Sequence, residues 1–293
     1  MGRVLEEKIK SKKAVIGVIG LGFVGLYSLD AFARAGFSLV GFDINETRVK
    51  LLKERKIHIR DFPLKLLYEL MLDKKFEVTT NPYALKKADI ILLSAPTPLD
   101  IHEIPDLNFI RASFQTALNC LEKDQMIILE SSAYPGVTER ELRPVLEKSG
   151  LKVGKDFYIA YAPEMFDFGN CAFSFTQVPK IVSGITPACL KMVTLFYETV
   201  GNTVVQASAT SIAESAKLLQ NAYRLINISF INEMKMMFDH MGIDIWEVIK
   251  VASSKPFGFT PFIQVQEWEE IVFLLILSIS FGRPDFVEDP QRF

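Results

Sequence analysis

Short strand candidates, most of them apolar runs, punctuate the first two thirds of the chain, at residues 14–19, 37–42, 76–79, 90–94, 126–129 and 157–160. Runs of that length, bounded by turn residues, match strands buried on both faces. Helical stretches separate most of them, the first over residues 24–35. Such alternation predicts a mostly parallel sheet covered on both sides by helices. The pattern then changes. Residues 212–240 carry apolar positions at helical spacing with no glycine or proline to interrupt them. A helix of that length is too long for the periphery of a small domain and reads as a central spine or a dimer strut. The domain boundary is expected near residues 207–210, and residues 151–155 read as a loop rather than a linker. No internal repeat or low-complexity segment is evident.

Composition narrows the class. The chain has 293 residues, 49% of them hydrophobic and 23% charged, with a formal charge of -2. That fits a globular chain able to bury a real core, with no general pull toward nucleic acid or an anionic membrane. Cys120, Cys171 and Cys189 are widely spaced, which suggests a reducing compartment, hence the cytoplasm, and no disulfide scheme. The start, MGRVLEEKIKSKK, has no apolar region of signal-peptide length, and the apolar run at residues 271–281 is too short to span a bilayer as a helix. His58, His102 and His240 form no ligand pattern, so no metal is expected.

The strongest chemical signal lies at the front. The first apolar run ends in GLGFVG, with glycines at 20, 22 and 25, and the second ends at Asp43. In a strand–turn–helix of this kind Gly20 makes the tight turn, Gly22 lets the backbone approach a pyrophosphate, and Gly25 lets helix and strand pack closely. Val24 opens the helix whose free N–H groups face the phosphates. Asp43 lies 23 residues after Gly20, where an acid can accept hydrogen bonds from both ribose hydroxyls and disfavours a 2'-phosphate. NAD is therefore expected over NADP, with Arg48 as the residue that could argue otherwise.

Further along, two strand ends read SAPTPLD (94–100) and ESSAYPGVTE (130–139), and a third, YAPEMFDFGN (161–170), carries Glu164. Ligands in such sheets sit beyond the C-terminal strand ends, so these hydroxyls and the carboxylate are candidate site groups, although ordinary turns would look the same. Lys217 and Asn221, four apart on the long helix, share one face. That pair is either an exposed lysine with its neighbour or a cation and amide turned toward a cleft.

Together these motifs resemble the UDP-glucose/GDP-mannose dehydrogenase family, and within it the bacterial UDP-N-acetyl-D-mannosamine and UDP-N-acetyl-D-glucosamine 6-dehydrogenases. The likeness is carried by GLGFVGL, FDIN, PTPL, ESSAYPGVT and PEMFDFGN. It continues in AESAKLLQNAYRLINISFINE (213–233) and GIDIWEVIKVASSKPFGFTPF (242–262), so that it covers residues 12–262. The resemblance implies oxidation of the sugar C6 alcohol to a carboxylate with two NAD. It implies a UDP-sugar substrate, no nucleic acid or membrane partner, and a homodimer. It places Gly20, Gly22, Phe23, Val24, Gly25, Asp43, Arg48, Thr97 and Ser132 around the cofactor, with Thr97 near the nicotinamide. Ser132, where the family usually has Thr, would orient water. Glu164 and Lys217 would lie at the reaction centre, Lys217 stabilising a developing oxyanion beside Asn221. Met165 stands where the subgroup usually has Arg, and Phe168 where it usually has Pro.

One departure is larger. The family's nucleophile is a cysteine in a segment resembling PGPGxGGxCxPxDP soon after KPFGF, yet this chain has no cysteine after Cys189. Read from the third base of each codon, residues 262 onward can spell YPGPGVGG(D/N)CIPVDP and later WKAR. A shift of reading frame is thus expected, with residues 263–293 a non-native tail, the nucleophile and a UDP-binding domain missing, and the product inactive as written. The expected organisation is α/β: an N-terminal tail (1–12), a Rossmann-type NAD-binding domain (13–207), then the central helix and a partial dimerisation or substrate domain (208–262). Two other functions remain open: a non-catalytic NAD-binding or dimerising protein, and a hydroxyacid-type dehydrogenase that uses Lys217 and needs no thiol.

Overall fold

The computed structural model describes residues 3–57, 64–97, 106–165 and 174–262. The sequence readings of His58, His102, Phe168, Cys171 and the tail from residue 263 lie outside them. The chain forms two compact units, one running through Lys217 and the other following from Leu218.

In chain order the first unit contains α1 (Arg3–Lys10), β1 (Val15–Ile19), α2 (Phe23–Ala35), β2 (Ser38–Phe42), α3 (Glu46–Lys53), α4 (Lys65–Leu72), β3 (Phe76–Thr79) and β4 (Ile90–Leu93). It continues with α5 (Asn108–Cys120), β5 (Met126–Leu129), α6 (Arg143–Glu147), β6 (Tyr158–Tyr161), β7 (Lys180–Gly184), α7 (Pro187–Val200), β8 (Val204–Gln206) and the start of α8 (Thr210–His240). The strands form one sheet in the order β3-β2-β1-β4-β5-β6-β7-β8. From β3 to β6 every pairing is parallel, whereas β7 runs antiparallel to β6. The order reverses between β1 and β4, and a crevice opens at such a point beyond the strand ends.

Alternation along the strands sorts side chains between two cores. Ile90 and Leu92 of β4 join Ile16, Val18, Leu39 and Ile128 on one face, while Ile91 and Leu93 join Ile19, Val40, Ile127 and Leu129 on the other. Because both faces are covered, β4 and β5 are apolar at every position and fully buried.

Two features differ from the sequence expectation. The first twelve residues are more than a tail: α1 lays Leu5 and Ile9, four apart and so on one face, into the core, and Lys8 Nζ donates to Asp89 at 2.6 Å. The segment between β6 and the long helix, where the apolar pattern marks no element, holds β7, α7 and β8. The charge of Lys180 at the head of β7 and the three-residue length of β8 weaken the apolar signal there.

The second unit comprises the rest of α8 and α9 (Ile245–Ala252). At about 1.5 Å per residue, the 31 residues of α8 extend about 46 Å. Gly242, in the left-handed region at φ 69°, turns the chain after it, and the Asp244 side chain caps α9 by accepting from the Trp246 N–H. Ile231, Ile245 and Ile249 form a small core with Met234, Phe238, Phe259 and Phe262. Leu219, Tyr223, Ile226 and Phe230 are exposed along α8, and their 4-3-4 spacing makes one apolar stripe. Among the described residues no helix is long and apolar enough to cross a membrane.

Candidate functional site

The glycine turn links β1 to α2. Gly20 has φ 99°, and a Cβ there would lie 2.5 Å from the Ser94 carbonyl oxygen; one on Gly25 would lie 1.9 Å from the Gly20 oxygen. The protein's own packing therefore demands both glycines. Gly22 is different. Its φ of -69° suits any residue, and a Cβ there would meet nothing within 4 Å. It opens α2 without any side-chain cap, so neither strain nor an internal neighbour calls for glycine. Space left clear at the first turn of a helix suits a pyrophosphate approaching the backbone, and on this observation the turn fits NAD.

Asp43 ends β2 beside that turn. Its Oδ2 accepts from the Leu21 N–H at 2.8 Å and from Arg48 at 2.9 Å, and its Oδ1 accepts from the Asn45 N–H at 2.8 Å. The carboxylate braces the glycine turn, and each carboxylate oxygen can accept twice. Arg48, which could have argued for a 2'-phosphate, is engaged with Asp43.

Thr97, Ser132 and Glu164 follow β4, β5 and β6, parallel neighbours whose C-terminal ends share one edge of the sheet with those of β1 and β2. All three are half-buried. Lys217 and Asn221, also half-buried, lie one turn apart on α8, Lys217 closing the first unit and Asn221 belonging to the second.

Below this edge lies a polar cluster that sequence reasoning missed. Lys180 Nζ donates to Glu130 Oε1 at 3.1 Å and to Glu164 Oε2 at 3.0 Å, and the lysine side chain is only 2% exposed. The ammonium also lies 5.4 Å from the Phe175 ring centre and 5.1 Å from that of Tyr197, within the range for attraction to a ring face. Glu130 further accepts from Ser28 of α2 and from Ser94 after β4, and Glu164 Oε1 accepts from the Met165 N–H at 2.9 Å. The cluster thus ties the glycine-turn helix, the end of β4 and Glu164 together. Burial would lower the Lys180 ammonium, but Glu164 and Glu130 outweigh it and raise its pKa. Burial also pushes the Glu130 carboxyl up to about 7 against the pull of Lys180, since one cation shared by two carboxylates cannot neutralise both. In the sequence the one clue was an acid placed directly after the wholly apolar strand MIIL.

A second buried carboxylate, Glu214, sits in the first turns of α8. It accepts from the backbone N–H of Gly136, from the Thr138 N–H at 3.0 Å and from the Thr138 hydroxyl at 2.6 Å. Cys120 and Cys189 are both buried, and burial raises the Cys120 thiol, the opposite of what activates a nucleophile. Among the described residues no group of three or more His, Cys, Asp or Glu is placed to hold a metal.

The chain matches two family models: the NAD binding domain of the UDP-glucose/GDP-mannose dehydrogenase family over residues 14–201 and its central domain over residues 211–266. It is 39% identical over 245 residues to Protein CapL of Staphylococcus aureus, covering 82% of this chain and 56% of that one. Against the UDP-N-acetyl-D-glucosamine 6-dehydrogenase of Pseudomonas aeruginosa it is 35% identical over 256 residues, 86% of this chain and 59% of that one. Among solved structures, the UDP-D-ManNAc dehydrogenase of Pyrococcus horikoshii superposes with a TM-score of 0.82 at 28% identity, covering 94% of this chain and 65% of that one. The chain therefore spans little more than half the length of the two sequence relatives.

Proposed function

Because the chain belongs to the UDP-glucose/GDP-mannose dehydrogenase family, we propose that it descends from an NAD-dependent 6-dehydrogenase of a UDP-N-acetylhexosamine and that, as written, it binds NAD without completing the oxidation. The glycine turn carries the first half of this reading: Gly20 and Gly25 answer to internal packing, and Gly22 to nothing inside the protein. Bound NAD supplies the acceptor for hydride from C6. The chain's residues then have distinct roles. Gly20 to Gly25 leave room for the pyrophosphate, and Asp43 accepts from the ribose while bracing the turn. Thr97 and Ser132 flank the nicotinamide half, and Ser132 also orients water. An ammonium at Lys217 favours charge developing on the C6 oxygen, with Asn221 one turn away. Glu164 stands at the reacting end, held by Lys180.

The second half rests on the thiol. Passing from aldehyde to acid through a covalent stage needs a thiolate. Residues 263–293, where the family's cysteine segment would stand, hold no cysteine, and the neighbouring frame can spell that segment from residue 262. The central-domain match running out at residue 266 supports a frame change near there.

Two measurements test the two halves. Titrating NAD into folded protein is expected to give saturable binding that Asp43→Ala weakens; absence of saturation at several millimolar would remove the first half. NADH release with the product identified by mass is expected to show no uronic acid from UDP-N-acetylmannosamine, UDP-N-acetylglucosamine or UDP-glucose. A chain reopened in the alternate frame from residue 263 is expected to form acid with two NAD consumed. Acid formation by the 293-residue chain at the reopened chain's rate would overturn the second half.

A further inference from the structure

We infer that Glu214 is a positioning residue that sets the Ser132 loop for the nicotinamide half of the dinucleotide, a role no motif of the chain assigns to it. The loop leaves β5 and is fixed at both ends. At its start the Ser131 hydroxyl donates to the Ala95 carbonyl at 2.7 Å, which joins it to the segment that carries Thr97. At its far end the Glu214 carboxylate takes up the Gly136 and Thr138 N–H groups and the Thr138 hydroxyl. Between these anchors Ala133 is buried at 1% exposure, while Ser132, Tyr134 and Pro135 are half-buried.

Several observations set this carboxylate apart from an ordinary helix cap. Glu214 is 0% exposed, and burial raises its pKa against the bonds from Thr138 and Gly136. Gly136 has φ 98°, a conformation that suits glycine and directs its N–H at the acid. The donors reach Glu214 across 76 and 78 residues of sequence, so the contact joins the loop after β5 to the first turns of α8. Lys217 lies three residues further on that helix, close to one turn. One side chain therefore fixes the loop bearing Ser132 relative to the helix bearing Lys217, all within the first unit.

The inference rests on the reading that Ser132 flanks the nicotinamide half, and its test separates the two. Affinities for NAD and for ADP, which lacks that half, are measured by calorimetry on the full chain and on Ser132→Ala, Glu214→Gln, Thr138→Val and Thr138→Ser. In Glu214→Gln an amide N–H must face one of the loop donors, so a hydrogen bond is replaced by a clash of donors. Ser132→Ala and Glu214→Gln are each expected to weaken NAD about fivefold, the equivalent of one lost hydrogen bond, and to leave ADP unchanged. Thr138→Val, which removes a single donor and guards against a Glu214 variant that fails to fold, is expected to follow in the same direction, and Thr138→Ser to restore the wild-type value. If Ser132→Ala weakens NAD while Glu214→Gln and Thr138→Val do not, the positioning role is wrong and the Ser132 reading stands. Equal losses for NAD and ADP in Glu214→Gln would reduce the residue to a structural cap. If Ser132→Ala leaves NAD untouched, the Ser132 reading falls and the inference with it.

Discussion

Replacing Lys180 by Met offers a direct test of the cluster beneath the strand edge. The substitution keeps most of the side-chain volume and removes the charge. It leaves Glu130, whose side chain is 0% exposed, and Glu164, at 10%, without the cation that each contacts at about 3 Å. Removing one partner of a buried ion pair costs about 3–5 kcal/mol, because the remaining charge stays desolvated. Two carboxylates remain here, so the upper part of that range is expected near pH 8. The pH dependence follows from linkage. The Glu130 carboxyl is already raised to about 7 from an ordinary value of 4.5. The folded protein therefore holds a proton there that the unfolded chain releases, and this contribution is full below about 4.5 and lost as pH rises through about 7. Without Lys180 the carboxylates repel with nothing between them, and protonation relieves the variant more than the wild type. The deficit is expected to shrink by roughly half between pH 8 and pH 5.5. Urea unfolding followed by circular dichroism at both pH values measures it. A deficit below about 1 kcal/mol, or one of equal size at both pH values, would show that Lys180 contributes packing rather than charge.

The two kinds of glycine in the turn separate in the same way. Gly25→Ala is expected to destabilise the first unit by more than about 2 kcal/mol, because its Cβ would fall 1.9 Å from a backbone oxygen. Gly22→Ala is expected to leave the melting temperature unchanged while weakening NAD at least tenfold; equal behaviour of the two variants would refute the assignment. The exposed stripe of Leu219, Tyr223, Ile226 and Phe230 is expected to support a homodimer. Light scattering should give twice the chain mass, and Ile226→Glu with Phe230→Glu should return it to the monomer; a monomeric wild type over a broad concentration range would reject this.

The sheet up to β6 was legible because most of its strands are short apolar runs closed by a turn residue, and the long helix because nothing interrupts its period. The glycine turn was legible because its residues are local and their spacing follows from backbone geometry. Lys180 and Glu214 were not. Each makes its contacts across tens of residues, and a lone lysine or glutamate in a sequence reads as solvated surface. Only the folded chain shows that the Glu130 and Glu214 carboxyl groups and the Lys180 ammonium are taken out of water. Helix α1 was lost for a related reason, since three apolar residues among charged ones signal a core helix only when a partner surface is known.

That helix has a consequence for synthesis. Leu5 and Ile9 are buried in the core that α7 shares, and Lys191 of α7 pairs with Glu6 across 185 residues of sequence. At a ribosomal rate of about 5–20 residues per second, α1 emerges roughly 10–40 s before its partner is made. Throughout that interval the part of its covering surface that α7 supplies is missing, and the docking of α1 on α7 must follow the translation of nearly all of the first unit. A nascent chain arrested before residue 187 would present Leu5 and Ile9 to any chaperone at the exit tunnel. One arrested beyond residue 200, with enough further chain to clear the tunnel, would have withdrawn them.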